Sequence, residues 1–288
     1  MLKKRVIATV VVKDGLVVQS IGFKKYLPVG KPPIALEFLN AWGIDEIVLI
    51  DISASKHKQA PDYAMVKKSS QKSYVPLTVG GGITKLEHIQ ELMHCGADKV
   101  SLNQTAIHSP KFISEAAAVF GNQCLVISID ALKTANGYRV YDYVNMAPLA
   151  MAPAEFARKV EDMGAGEILI NSVDRDGTYT GFDLELIQPI CDQVNVPVIA
   201  AGGAKNSKDF LEVFSQTSVS AASAANFFHF TEHSVNRTKA SLSKEMNIRL
   251  ETYADYKDNP MDAEGRLVKK TDQELEEMLF LRIEKEVI

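Results

Sequence analysis

The sequence repeats two short motifs at one fixed spacing, and this duplication restricts the possible folds more than any other feature. EIVLID begins at Glu46, and EILINS begins at Glu167, 121 residues later. VGGGI surrounds Gly81 and AAGGA surrounds Gly202, again 121 residues apart. The repeat therefore predicts two halves of the same architecture. An open dinucleotide-binding sheet does not predict it, and no G-x-G-x-x-G motif follows the first apolar run.

Short apolar runs alternate with amphipathic stretches along most of the chain, as is typical of parallel sheets whose strands are joined by helices. The predicted strands are Arg5–Val12, Glu46–Ile52, Leu77–Val79, Lys99–Leu102, Leu125–Asp130, Glu167–Asn171, Val198–Ala200 and Ser218–Ala222. Eight such units predict an α/β fold, a (β/α)8 TIM barrel built from two half-barrel repeats. We assign the barrel to residues 1–252 and a C-terminal extension to residues 253–288.

The extension carries its own helix signal at about residues 271–288. Thr271 and Glu274 have the spacing of a capping box at a helix start. The apolar stripe that follows consists of Leu275, Met278, Leu279 and Ile283. A helix with this stripe can pack on the barrel's own surface or against a partner protein, and the sequence leaves both alternatives open.

Composition and spacing argue against several classes of function. The formal net charge of −4 gives no indication of nucleic acid binding. The three cysteines are scattered and the six histidines form no metal-ligand pair, so we expect no disulfide, no metal site and no cofactor. No apolar run approaches the ~20 residues needed to cross a bilayer. The basic and apolar N-terminus is typical of a strand rather than a signal peptide, and we expect a cytoplasmic protein that binds no membrane.

Glycines follow two predicted strands that the repeat makes equivalent. Gly81 and Gly82 follow the third strand, and Gly202 and Gly203 follow the seventh. Glycine lets backbone N–H groups approach an anion, and a following helix adds its positive dipole end. Because chemistry in such barrels lies at the C-terminal ends of the strands, the duplication predicts two phosphate cradles at one mouth. The alternative is that these glycines serve only tight turns between strand and helix.

Several motifs together resemble the cyclase subunit of imidazole glycerol phosphate synthase over about residues 1–252. They are KRVIATVVVKDG, DEIVLIDISAS, LTVGGGI, GADKVSLN, VISIDA, GAGEILINSVDRDGT, AAGGA and the closing FFHF…NIRLE. The resemblance implies that a glutaminase subunit docks on the N-terminal face of the barrel. Its ammonia would pass through the barrel to a bis-phosphorylated substrate at the mouth, giving imidazole glycerol phosphate and a purine-precursor carboxamide.

The resemblance also implies a set of phosphate-binding positions, and a phosphorylated small molecule is the ligand that they predict. Combined with the two glycine cradles, the set is Gly81, Gly82, Asn103, Asp176, Gly177, Gly202, Gly203, Ala225 and Asn226.

Alternation of side chains along four strands predicts a charged ring inside the lower end of the barrel. Two cations and two anions meet there: Arg5, Glu46, Lys99 and Glu167. Each charge would offset the cost of burying its neighbours. By resemblance this ring is the gate of an ammonia channel, and Thr78 and Ser101 line the route above it. From the residues alone, a plain cluster of salt bridges is an equal alternative.

The mouth departs from the family pattern at a position needed for proton transfer. The resemblance implies two catalytic aspartates; the second is Asp130, whereas Val11 occupies the position of the first. Valine moves no proton, and losing one general acid or base commonly costs about 10²–10⁴ in rate. Asp14 lies nearby but outside the inward row, so we do not expect it to substitute. Further departures are Gln19, Gln104, Asn171 and the pair Asn226–Phe227.

Three functions are compatible with this pattern. We favour a barrel that receives ammonia from a glutaminase and supplies a separate sugar amidotransferase for surface polysaccharides. Relatives of the cyclase subunit are encoded in gene clusters for such sugars, and the altered mouth of this chain fits such a relative better than a histidine-pathway enzyme. The alternatives are an active cyclase (a lyase-type subunit) in histidine biosynthesis and a catalytically silent binding scaffold. The basic segment at 20–33 can be a lid over the mouth or an ordinary connection.

Overall fold

The computed structural model describes residues 3–229, 233–249, 259–263, 267–268, 271 and 273–274. In chain order, its strands are β1 (Arg5–Lys13), β2 (Leu16–Ile21), β3 (Lys25–Gly30), β4 (Glu46–Asp51), β5 (Leu77–Gly80), β6 (Lys99–Leu102), β7 (Leu125–Thr134), β8 (Gly137–Asp142), β9 (Ala147–Pro148), β10 (Glu167–Ser172), β11 (Val198–Ala201) and β12 (Ala221–Ala224).

Helices connect most of these strands. They are α1 (Pro32–Ala41), α2 (Ile52–Lys56), α3 (Tyr63–Ser70), α4 (Leu86–His94), α5 (Gln104–His108), α6 (Lys111–Phe120), α7 (Pro153–Asp162), α8 (Leu184–Gln193), α9 (Ser207–Gln216), α10 (Asn226–His229) and α11 (Ser234–Leu242), with a 3₁₀ turn at Asn122–Cys124.

Eight parallel strands close into a barrel, which confirms the predicted fold class. The order is β1, β4, β5, β6, β7, β10, β11 and β12, and β12 pairs with β1 to complete the ring. Equivalent strands of the two halves pair in the same register. Ile7 of β1 pairs with Glu46, and Val126 of β7 pairs with Glu167, 121 residues after Glu46. The duplication seen in the sequence is therefore present in the strand pairing.

Two antiparallel hairpins extend the barrel strands beyond its mouth, and the sequence did not reveal either of them. The strands β2 and β3 continue from β1, and β8 continues from β7 to pair in turn with β9. The predicted lid segment, residues 20–33, thus contains the second half of an ordered hairpin.

The eighth barrel strand begins three residues later than predicted. It starts at Ala221, which pairs with Arg5, rather than at Ser218. The run SVSAASAA contains small residues without a clear alternation, so the sequence gives no reliable boundary there. Pairing with β1 sets the start of this strand.

Side-chain caps explain where several helices begin. Asp51 accepts the N–H groups of Ser53 and Ala54 at the start of α2, and Asn206 forms a capping box with Asp209 at α9. These bonds satisfy N–H groups that a helix leaves without a partner in its first turn. Asp51 is the last residue of β4, so its cap joins that strand directly to α2 at the mouth of the barrel.

Apolar packing forms two layers, one on each side of the barrel wall. Residues between the strands and the helices, such as Leu49, Ile89 and Val100, make up the larger layer. A second group points inward, and we call it the inner apolar layer: Ile7, Val48, Val126, Leu169, Ile199, Ala201 and Ala221. Its members on β1, β4, β7 and β10 belong to the inward rows predicted from alternation.

The extension is described only in part. The Thr271 N–H donates to Glu274 Oε2 (2.8 Å), and the Glu274 N–H donates to Thr271 Oγ1 (3.3 Å), so the capping-box bonds are present. The predicted apolar stripe at 275–283 lies outside the described residues, and the boundary at 252 stays a prediction. No helix in the described ranges is long and apolar enough to span a membrane.

Candidate functional site

Four charged side chains meet at the N-terminal end of the barrel, as the alternation predicts. This lower ring consists of Arg5, Glu46, Lys99 and Glu167. The Arg5 Nη1 lies 2.5 Å from Glu46 Oε1 and 3.3 Å from Glu167 Oε1. The Lys99 Nζ lies 2.8 Å from Glu167 Oε1 and 3.4 Å from Glu46 Oε2. Each cation thus bridges both carboxylates, and the charges alternate around a closed ring.

The ring is largely shielded from solvent, which makes its pairing important. The side chains of Glu46 and Glu167 are 9% and 13% exposed, and that of Lys99 is 17% exposed. Burial alone would lower the pKa of Arg5, but the carboxylates of Glu167 and Glu46 raise it overall. The second oxygen of Glu167, Oε2, is buried without a hydrogen-bond partner among the described residues. One carboxylate oxygen of the ring, Glu167 Oε2, therefore accepts no hydrogen bond from a described residue.

Thr78 and Ser101 lie on inward positions above the ring. Thr78 pairs with Lys99 of the ring and with Val48 of the inner apolar layer, and Ser101 is one inward step higher on β6. Both residues are buried, with 2% of Thr78 and 4% of Ser101 exposed. Along the barrel axis, the charged ring is therefore followed by the inner apolar layer, with the Thr78 and Ser101 side chains beside it, and then by the mouth.

A cavity of about 1230 Å³, including its solvent-open part, occupies the C-terminal end of the barrel. It reaches down to Leu169 of the inner apolar layer. Three carboxyl groups line it, those of Asp51, Asp130 and Asp176. Within the described part of the chain, no lysine, arginine or histidine lines it. This mouth cavity thus offers acidic and neutral groups but no basic side chain.

Asp130 lies deep in the mouth cavity and is only 6% exposed. The Asn103 Nδ2 donates to Asp130 Oδ2 at 3.0 Å, and the Asn171 Nδ2 donates to Oδ1 at 3.5 Å. Burial raises the pKa of Asp130 to about 7, the two amides oppose that rise, and the charge of Asp176 adds to it. A carboxyl with this pKa can both take up and release a proton near neutral pH.

Val11 also lines the mouth cavity, so the position without a carboxylate faces the site. Asp14 does not take its place. The side chain of Asp14 accepts a hydrogen bond from Ser53 Oγ (3.0 Å), and its backbone N–H donates to the same oxygen (2.9 Å). The residue is exposed at a turn and does not line the cavity, as the alternation predicts.

The predicted glycine cradles lie on opposite strands of the mouth and are closely packed. A Cβ on Gly81 would lie 2.3 Å from the backbone oxygen of Asp51, and one on Gly202 would lie 2.8 Å from that of Ser172. Asp51 and Ser172 are themselves 121 residues apart, so the contact is duplicated. Close packing is one reason for glycine at both positions.

Other members of the predicted phosphate set also line the cavity, with different neighbours. Gly82, Gly203, Gly177, Asn103 and Ala225 all do so. The Gly82 N–H donates to Ser55 Oγ at 3.2 Å, so this amide already has a partner.

Asp176 and Asn226 hold the β2–β3 hairpin over the mouth, a role that the sequence did not indicate. The Ser20 Oγ and the Phe23 N–H donate to Asp176 Oδ2 at 2.6 and 3.2 Å. Asn226 forms a two-way pair with Ser20, because its Oδ1 accepts the Ser20 N–H (3.1 Å) and its Nδ2 donates to the Ser20 oxygen (2.6 Å). Their side chains therefore serve the hairpin, and the Asp176 N–H already donates to the backbone oxygen of Ser172 at 3.0 Å.

Aromatic rings line the upper part of the cavity, which sequence reasoning also missed. They are Phe23, Tyr26, Tyr143, Tyr179 and Phe227. Tyr143 hydrogen-bonds to Ser55, and burial raises its pKa to about 12. Burial raises the pKa of Tyr26 to about 12 as well. Both phenols therefore stay neutral at physiological pH. In the ranges described, no group of three or more His, Cys, Asp or Glu side chains could hold a metal ion.

Comparison with known proteins gives consistent matches over most of the chain. Residues 5–234 match the family model described as "Histidine biosynthesis protein". A protein from Vibrio vulnificus (strain YJ016), provisionally named imidazole glycerol phosphate synthase subunit hisF2, is 45% identical over 267 residues, 92% of this chain and 98% of that protein. The imidazole glycerol phosphate synthase subunit HisF of Clostridium botulinum (strain Langeland) is 43% identical over 253 residues, 87% of this chain and 100% of that protein.

Proposed function

The chain belongs to the histidine biosynthesis protein family, as a barrel of the imidazole glycerol phosphate synthase cyclase-subunit type, and we propose that it conducts ammonia from a glutaminase partner without catalysing the cyclisation itself. The ammonia would then serve a separate acceptor enzyme, and a sugar amidotransferase for surface polysaccharides is the acceptor that the altered mouth favours. The name of the Vibrio vulnificus relative, hisF2, supports a second type of this subunit.

The observation that carries the proposal is a contrast between the two ends of the barrel. The lower ring is complete, with every cation within 3.4 Å of both carboxylates. At the mouth, Val11 leaves Asp130 without the second carboxylate that the family pattern implies. A conduit for ammonia needs the ring and the barrel interior but no acid–base pair at the mouth. A cyclase needs the acid–base pair as well.

The lower ring has the properties of a gate in this proposal. Its four charges neutralise one another, so the ring tolerates burial but also resists the passage of free ions. Above it, the inner apolar layer favours a neutral molecule over a charged one, because moving an unpaired ion into apolar surroundings is costly. Thr78 and Ser101 place hydroxyl groups along this path. A glutaminase would dock on the N-terminal face, where the ring opens.

The mouth cavity argues against efficient cyclisation of a bis-phosphate. In this proposal a phosphorylated ligand would rely on backbone N–H groups at Gly81, Gly202, Gly203, Gly177 and Ala225. The cavity adds three carboxyls and, within the described residues, no basic side chain. Phosphates are most strongly held when a charged donor accompanies such amides. We therefore expect phosphate binding to be weak.

An active cyclase is the second candidate, and one observation favours it. Asp130 is buried, held by two amides, and has a pKa raised to about 7, which suits a general acid or base. A cyclase with Val11 in place of the first aspartate would then depend on another group for the second proton transfer. Asp51 lines the cavity, but its Oδ1 is already used as a helix cap.

Two measurements on the purified chain test the proposal. The first mixes it with a glutaminase subunit and follows glutamate formation; the proposal predicts stimulation. The second supplies ammonium salt and the bis-phosphorylated cyclase substrate; the proposal predicts turnover at least ~10²-fold below that of the Clostridium botulinum subunit, as expected for loss of one acid or base. Turnover within tenfold of that enzyme would establish the second candidate. Failure to stimulate any glutaminase tested, with no turnover, would favour a binding scaffold.

A further inference from the structure

We propose that the outward face of α1 is the docking surface for the C-terminal extension of the same chain. The apolar stripe of residues 275–283 would lie along Ile34, Phe38 and Trp42. This contact concerns the outer wall of the barrel and neither its interior nor its mouth, so it does not rest on ammonia transfer. It decides between the two alternatives that the sequence leaves open for the extension.

Large apolar side chains occupy the face of α1 that points away from the barrel. Ile34 and Phe38 are 52% and 55% exposed, and they have the four-residue spacing of one helix face. The ring centroids of Phe38 and Trp42 lie 6.0 Å apart, so the row continues by one more turn. We call Ile34, Phe38 and Trp42 the outer apolar ridge. Because the opposite face of α1 is buried on the barrel, this helix is apolar on both sides, which is typical of a helix covered on both.

The second half of the barrel shows what this face carries when it meets only solvent. The helices α1 and α7 begin at residues 32 and 153, so they are equivalent under the 121-residue repeat. Ile34 corresponds to Glu155 and Phe38 to Lys159, and all four positions are exposed. The same backbone positions therefore carry charges in α7 and large apolar groups in α1. This difference indicates a contact that only α1 makes.

The extension contains an apolar stripe of the same length. The capping-box bonds between Thr271 and Glu274 mark a helix start just before it. Leu275 and Ile283 are eight residues apart, as are the two ends of the outer apolar ridge, which corresponds to about 12 Å along a helix. A short isolated helix is only marginally stable in water. The extension therefore needs a surface on which its apolar side can be buried.

The chain that leads to the extension passes close to the outer apolar ridge. The Trp42 ring stacks on His233, with centroids 6.0 Å apart, and the Lys239 Nζ donates to the backbone oxygen of Gly43 at 2.6 Å. The helix α11 is thus attached to the end of α1. Residues 250–274 can span roughly 80 Å when extended, whereas α1 is about 15 Å long. The connection is therefore long enough for the stripe to lie along α1 in either direction.

Charges beside the outer apolar ridge favour the extension over a second copy of the chain. Residues 271–288 contain six acidic and two basic side chains, an excess of four negative charges. The neighbouring helix α3 presents the exposed Lys67 and Lys68, and Lys72 follows it with its Nζ 3.1 Å from Glu37 Oε1 on α1. Opposite charges guide the choice of partner more than they add affinity. Two copies of α1 facing each other would instead bring two of these lysine groups together.

Fluorescence of Trp42, the only tryptophan of the chain, provides the first test. In the whole chain, Leu279→Asp should release the extension, shift the Trp42 emission to longer wavelength and raise its acrylamide quenching constant at least twofold. Ile34→Glu, which gives α1 the residue that α7 carries at this position, should have the same effect. Val268→Asp is the matched control, because Val268 is 48% exposed and lies outside the stripe, and it should leave both signals unchanged.

Cross-linking identifies the occupant of the outer apolar ridge directly. The two partly exposed native cysteines are replaced by serine. Ala41→Cys, at an exposed position of α1, is then combined with Glu276→Cys or Arg282→Cys, one for each direction of the helix. A short bismaleimide should join one of these pairs within a single chain. Val119→Cys on α6, where the side chain is 61% exposed, replaces Ala41→Cys in the control and should give no such product.

Three results would overturn this contact. The first is equal quenching of Trp42 in the wild type and in Leu279→Asp. The second is a cross-linked product that is a dimer, because a second copy would then occupy the ridge. The third is protection of Trp42 only after a glutaminase subunit is added, because the ridge would then belong to that partner. None of these results changes the expected glutaminase stimulation or cyclase turnover, so the extension contact and the proposed function can fail separately.

Discussion

Val11 and Asp130 occupy equivalent points in the two halves of the barrel. Val11 pairs with Ile50 of β4, Asp130 pairs with Asn171 of β10, and these two partners are separated by the same 121 residues as the repeat. Both residues face the mouth cavity. The two halves thus present the same backbone position with and without a carboxylate, and this difference can be tested by substitution.

Restoring a carboxylate at Val11 should not by itself produce an efficient cyclase. Val11→Asp supplies the missing proton-transfer group, but the described cavity lining still contains no cation to hold a bis-phosphate. We expect less than a tenfold gain in turnover with ammonium salt for Val11→Asp, and a larger gain when it is combined with Gln19→Lys. The measurement is steady-state turnover with the bis-phosphorylated substrate, and Gln19→Lys alone is the control. A gain of about 10² or more from Val11→Asp alone would show that substrate binding is already sufficient.

Asp130 should make the protein less stable as the pH rises through its titration range. A carboxyl whose pKa is raised from 3.8 to about 7 binds its proton more tightly in the folded state. Stability is therefore greatest below the unfolded pKa and falls until the pH exceeds the folded value, by roughly 4 kcal/mol at most. Asp130→Asn removes this loss, so it should be more stable than the wild type at pH 8 and lack that part of the slope between pH 4 and 7. Urea unfolding at several pH values measures the difference; parallel curves for the two proteins would contradict the raised pKa.

The duplicated glycines should differ in their tolerance of alanine. Gly81 has φ +116° and its added Cβ would lie 2.3 Å from the Asp51 oxygen, whereas Gly202 has φ +93° and a clearance of 2.8 Å from the Ser172 oxygen. Gly137 has φ +88° but nothing within 4 Å, so it isolates the backbone cost, about 1–2 kcal/mol. We expect Gly81→Ala to lose the most stability, Gly202→Ala less, and Gly137→Ala the least. Thermal unfolding ranks them, and equal losses at all three positions would exclude a packing effect.

The lower ring should show energetic coupling between its members. Lys99→Met leaves Glu46 and Glu167 with only Arg5, and the ring is largely buried, so we expect a loss of about 1–3 kcal/mol. Glu167→Gln in the same background should cost less than it does alone, since the ring then loses one charge of each sign. Lys133→Met, which breaks the solvent-exposed pair with Glu185, is the control and should change stability much less than Lys99→Met. Additive losses for Lys99 and Glu167 would mean that the two are not energetically linked.

A buried ion pair joins α11 to the barrel and should be important for folding. The Lys239 Nζ lies 2.7 Å from Asp45 Oδ1, with side chains 1% and 2% exposed, and Asp45 Oδ2 accepts the Val6 N–H at 2.8 Å. Lys239→Met leaves a carboxylate buried beside β1 without this cation, at a cost of about 3–5 kcal/mol. The double variant Lys239→Met with Asp45→Asn should recover part of that loss. Urea unfolding of both variants measures the difference, and no recovery would indicate that the loss comes from packing of the lysine stem.

Local covalent geometry is the reason why much of this molecule could be predicted from sequence. Successive side chains of a strand point to opposite faces whatever else the chain does, so the inward rows, and with them the lower ring and Asp130, follow from counting residues. The repeat at Glu46 and Glu167 then fixed the number of halves. The weak alternation around Ser218 is where this reasoning failed, because small residues carry no pattern that marks a strand boundary.

The sequence by itself thus determined the barrel, its duplication and the rows of residues that face its interior. Tertiary structure alone decided that Asp176 and Asn226 hold the hairpin through Ser20, a contact across 206 residues in the case of Asn226. It also decided that no basic side chain of the described chain enters the mouth cavity and that the pKa of Asp130 rises to about 7. These properties depend on which distant groups converge and how much water they exclude, and neither quantity is encoded in the spacing of neighbouring residues.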